Sequence, residues 1–125
     1  MPDKERASSL LFQAERKLCS IHEHVEKIGI KNENADDYIE YSYDILMCLV
    51  RAKMFSEGYH SSGHGAHEAE VAYARLIGLN EQEVAFLDGI RYFRNGILYY
   101  GKSVDEEYAK KVIQFLEKMY QTLKK

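Results

Sequence analysis

Arg91, Arg94, Asn95, Tyr99, Tyr100 and Lys102 fall within one short segment, RYFRNGILYYGK, and their types point to phosphate chemistry. A guanidinium is planar, permanently charged and rich in donors. Arg94 beside the Asn95 amide therefore suits gripping a phosphate, or stabilising charge on a transferring phosphoryl group. Arg91, Arg94 and Lys102 form a local basic patch on a chain whose formal net charge is −3, which argues against a strongly cationic nucleic-acid protein while leaving room for such a patch. The tyrosines add hydrogen-bond donors and flat faces on which a base can stack. The plainer alternative is a surface arginine that serves the last carbonyls of its helix.

A second constellation, EGYHSSGHGAHE, holds three of the five histidines, His60, His64 and His67, between Glu57 and Glu68. Neutral imidazoles and carboxylates at this density are ligands for zinc or a similar divalent ion. Their glycine-rich spacing follows no established ligand pattern, however, and a flexible polar loop accounts for it more simply. Glu57 and His60 have the Glu-x-x-His spacing of a di-iron bundle, but such a site needs that motif on two helices with further inward glutamates. No cofactor or resident metal is expected. His22 and His24 read as surface residues.

Positioning these groups falls to helices. Pro2 is the only proline, so glycines and capping residues punctuate the chain. A first helix spans about Asp3 to Ile28, with apolar residues at Leu11, Ala14, Leu18, Ile21, Val25 and Ile28 in steps of three and four. Gly29 ends it. A second follows Asn34, a candidate N-cap with Asp36 and Asp37 in the first turn. Its apolar residues cover so wide a face that it must have neighbours on more than one side. Gly58 closes it. A short third helix is expected from about Ala66 to Ile77, stopped by Gly78. Asn80 caps a fourth, with Glu83 in the capping-box position and Val84, Leu87, Ile90 and Phe93 on its apolar face; Gly101 ends it. Ser103 and Glu106 repeat the capping-box pattern before a last helix with Tyr108, Val112, Phe115, Met119 and Leu123 in its stripe.

Nothing alternates with the period of a strand, and threonine occurs once, at Thr122. The fold class is all-α: one domain over 1–125, an antiparallel up-and-down bundle of about five helices, two long ones forming a hairpin and shorter ones packing across it. At 125 residues the chain can bury a core without disulfides. Cys19 and Cys48 are expected as buried reduced thiols. No apolar run reaches the roughly 20 residues of a membrane span, and the charged start MPDKERASS has no signal-like region behind it, so a cytoplasmic protein is expected.

The helical hairpin, the segment YSYDILMCLVRAKMFSEGYHS and the segment LDGIRYFRNGILYYG together resemble the HEPN domain, over about Ala7 to Leu123. That resemblance implies a dimer in which two copies of an arginine, polar residue and histidine motif face one cleft. It further implies RNA or a nucleotide as ligand, metal-independent endoribonuclease activity in many members, and pairing of many as toxins with a nucleotidyltransferase-like antitoxin. Carried over, Arg94 is the motif arginine and Asn95 its polar neighbour, while Tyr99 stands where the histidine belongs. Tyrosine, with a reference pKa of about 10, is a poor general base at neutral pH. Binding in a dimer cleft is therefore expected over efficient cleavage. Cleavage would need Arg94, Asn95 and Tyr99 as catalytic residues, helped by a histidine such as His60, His64 or His67. A third expectation is a structural helical partner with no nucleic-acid affinity.

Geometry adds a constraint. Residues five apart on a continuous helix stand about 140° apart around its axis. Either the fourth helix loosens near Gly96, or the tyrosine of one copy answers the arginine of another. Arg91, Arg94, Asn95 and Leu98 are expected to share a stripe.

Overall fold

A computed structural model describes residues 2–59, 66–101 and 103–124. Five α-helices follow one another: α1 (Lys4–Lys27), α2 (Ala35–Ser56), α3 (Ala66–Tyr73), α4 (Glu81–Tyr100) and α5 (Glu106–Leu123), with no strand among the described residues. The expected all-α bundle is what forms.

The wide apolar face of α2 makes it the hub. It packs against each of the other four helices and buries Tyr38, Ile39, Tyr43, Ile45, Leu46, Met47, Leu49 and Val50 around much of its circumference. Each large aliphatic side chain so buried is worth about 1.5–3 kcal/mol over leaving it in water. The helix directions follow from three contacts. The backbone N–H of Asp3 donates to the Phe55 carbonyl at 2.8 Å, which sets the start of α1 beside the end of α2. The N–H of Val104 donates to the Asp36 carboxylate at 2.9 Å, which sets the α4–α5 link beside the start of α2. At the opposite pole Lys4, Ala52, Leu123 and Lys124 border one hollow. Thus α1 and α4 run one way, α2 and α5 the other, and α3 is a short crossover. Aromatic contacts join α4 to α5, with Phe86 to Phe115 and Phe93 to Tyr108 each 4.8 Å between centroids.

Several local expectations need correction. The third helix ends at Tyr73 and the chain continues in turns. The N-cap of α5 is Asp105, whose carboxylate accepts from the Tyr108 N–H at 2.8 Å, and not Ser103. Asn34 does stand at the N-cap of α2 but makes no capping bond; its side chain instead closes the α1–α2 link, accepting from Lys31 N and donating to the Gly29 carbonyl. Cys48 is buried as expected, whereas Cys19 is exposed. No helix among the described residues is long and apolar enough to cross a membrane.

Candidate phosphate-binding site on the fourth helix

The capping box at the start of α4 is complete: the Asn80 side chain accepts from Glu83 N at 2.8 Å and the Asn80 N–H donates to the Glu83 carboxylate at 2.9 Å. From there the buried stripe runs Val84, Leu87, Ile90 and onward to Ile97. Arg94 lies in that stripe, four residues after Ile90 and three before Ile97, where helical spacing calls for an apolar side chain.

Its guanidinium carbon stands 5.2 Å from the centroid of the Tyr43 ring on α2. Such a contact is worth about 0.5–2 kcal/mol, more as water is excluded. The Nε is buried and has no hydrogen-bond partner, and Arg94 makes no ion pair among the described residues. The neighbouring cations are each neutralised. Arg91 Nε donates to Asp88 at 3.0 Å, and Arg51 grips Glu70 of α3 through two bonds of 2.5 and 3.1 Å. Glu70, 2% exposed, is held in place by that fork. The positive charge of Arg94 is therefore left over.

Tyr43 is fully buried. Burial pushes its phenol up to about 12, against the pull of Arg91, Arg94 and Arg51 and with a smaller push from Glu70. At neutral pH it offers Arg94 a neutral ring and not an anion. Tyr43 was not among the candidate residues found by sequence reasoning, nor was the Arg51–Glu70 pair. Position could have signalled the first: a tyrosine inside the apolar face of α2 opposite an arginine inside the apolar face of α4. The pairing of Arg51 with a residue of α3 leaves no comparable trace in local sequence.

The helix is continuous through Gly96 to Tyr100, so loosening at that glycine does not occur. Arg94 and Tyr99 accordingly point to different sides of one chain. The expected stripe also divides. Arg91 and Arg94 lie toward Tyr43, since both act on its phenol. Asn95 instead lines a hollow of about 380 Å³ with Tyr92, Phe93, Gly96, Tyr100 and Ser103. Tyr99 and Tyr100 are 72% and 77% exposed, and Tyr92, Phe93 and Leu98 are exposed beside them. Half of the large hydrophobic side chains that are exposed on the described surface thus sit on the last two and a half turns of α4.

Lys102, His60 and His64 lie outside the described residues, as does the side chain of His67. Among the described residues no group of three or more histidine, cysteine, aspartate or glutamate side chains is arranged to hold a metal. His22 is a surface residue, as expected, and is bonded to Glu117 at 2.8 Å. Comparison with the models of known families gave no match, and comparison with curated proteins and with solved structures gave none either.

Proposed function

We propose that this chain is a HEPN-like module that binds RNA, or another nucleotide-bearing ligand, by a phosphate at Arg94, acting in the cytoplasm as a homodimer. The observation that carries this reading is the half-buried guanidinium of Arg94, with no carboxylate among the described residues to neutralise it and an unused buried Nε. A phosphate oxygen at the accessible part of the guanidinium supplies the missing charge. Arg91, paired with Asp88, lies on the same side of the helix. Asn95, Tyr99 and Tyr100 supply an amide and two accessible rings for the bases.

The dimer enters through the straightness of α4. Arg94 and Tyr99 of one chain face different directions, so Tyr99 can meet an Arg94 only across two copies. The exposed run of Tyr92, Phe93, Leu98, Tyr99 and Tyr100 is the apolar surface such a contact needs. The set contains no histidine, the residue type best suited to acid–base work at neutral pH, which supports binding over acid–base cleavage.

The test is a filter-binding titration with a single-stranded RNA at low salt. Arg94→Ala should abolish retention and Arg94→Lys should restore it only in part, since ammonium lacks the guanidinium fork. Binding unchanged in Arg94→Ala would remove the proposal. Cleavage of the RNA in the presence of chelator, lost in the same variant, would replace the binding role with the nuclease one.

A further inference from the structure

Between α1 and α2, away from the arginine cluster, lies a hollow of about 290 Å³ lined by Lys17, Ser20, Ile21, His24, Tyr41 and Asp44. Its two charged groups are of opposite sign and both are unused. Neither Lys17 nor Asp44 makes an ion pair among the described residues, with each other or with any third group. Yet they bear on one place. The Cys48 thiol beside them is raised first by its burial, then lowered by Lys17 and Arg51 and raised by Asp44.

The histidine is set in a defined state. Its Nδ1 lies 2.8 Å from the Ser20 carbonyl, which can only accept, so that nitrogen carries the hydrogen. In the neutral ring Nε2 is then an acceptor. Tyr41 stands close, its ring centroid 6.3 Å from that of His24, and it lines the same hollow. Carboxylate, imidazole acceptor and aromatic face each attract an ammonium group. Lys17 in the same lining attracts a carboxylate, and the buried Ile21 offers an apolar floor.

We propose that this hollow binds a free α-amino acid, with its ammonium on Asp44 and His24 Nε2, its carboxylate on Lys17 and its side chain over Ile21. Other ligand classes leave something unmatched. A simple anion meets Asp44, and a metal ion finds only one carboxylate and one imidazole. An internal peptide segment has no ammonium and carboxylate on one carbon. The volume agrees, lying just below the range of roughly 300–1,000 Å³ usual for drug-sized ligands. This site is independent of the reading of Arg94.

The experiment is a set of nitrogen-15 correlation spectra of the full chain with each of the common free amino acids, at up to about 10 mM so that millimolar affinities register. One amino acid, or a chemically related few, should shift the amides around Lys17, Ser20, Ile21, His24, Tyr41 and Asp44 with saturation. The methyl ester and the N-acetyl form of the best ligand, each lacking one charge, should fail to do so. Asp44→Asn and Lys17→Gln should each weaken binding about tenfold, the scale of one lost charge-assisted contact. Both positions are exposed, and unchanged melting of the variants will show that the fold persists. The proposal is overturned if no amino acid shifts these signals, or if ester and N-acetyl forms bind as well as the free acid.

Discussion

Arg94 occupies a position at which an uncharged side chain would serve the fold better. Its guanidinium gains the face of Tyr43 but leaves Nε buried without an acceptor, and an unmade buried bond to a charged group costs at least about 1–3 kcal/mol. An apolar residue of similar reach removes that cost. Arg94→Met should therefore stabilise the protein by about 1 kcal/mol, or roughly 3–5 °C in Tm, while abolishing RNA retention. A thermal melt beside a binding titration checks both, and a variant that melts lower would show that the arginine supports the bundle. The sequence made Arg94 a candidate through its neighbour Asn95 and the resemblance they carry. Which way each side chain turns was less legible. Arg94 and Asn95 are adjacent in the chain yet serve different surfaces, because a step of about 100° moves a residue from the core edge to the open hollow.

Helix α4 was read almost to its ends, because its signals are local: Asn80 and Glu83 at the start and Gly101, with φ 65°, at the C-cap. Neither needs a partner from elsewhere in the chain. The start of α5 was misread for the opposite reason. Two capping residues, Ser103 and Asp105, stand two positions apart, and the choice is made by tertiary contacts: Asp36 takes the Val104 N–H and Asn32 takes the Glu106 N–H. Asp105→Ala should cost about 1 kcal/mol, the usual worth of an N-cap, and Ser103→Ala close to nothing; denaturant unfolding of the two variants decides it. The capping box of α4 also makes a pH prediction. The Glu83 carboxyl is held below its ordinary value chiefly by the Asn80 N–H, which outweighs the opposing push of burial, with Lys118 adding a smaller pull the same way. Its contribution is complete above the unfolded value of about 4.3 and fades as pH falls through the lower folded one. Glu83→Gln should therefore lose stability at pH 7 and show a flatter acid limb, measured as melting temperature between about pH 2 and pH 7.

At the scale of the molecule, the bundle is organised around α2, and this much was legible because a helix apolar around most of its circumference has to be surrounded. What joins distant elements was not. The fork from Arg51 of α2 to Glu70 of α3 joins residues 19 positions apart in the chain, and no periodicity announces it. Breaking a fully buried pair by removing one partner costs about 3–5 kcal/mol. Arg51 keeps some contact with water, so Glu70→Ala should cost about 2 kcal/mol, with hydrogen exchange rising first in the amides of α3. A loss spread evenly over α1 and α5 would mean that α3 is held by its apolar contacts instead. The shared hollow of Lys4 and Lys124 at one pole has a separate consequence for engineering. A few added residues can bridge those two positions, so a circularly permuted chain opened in the turn between α3 and α4 should fold to the same bundle.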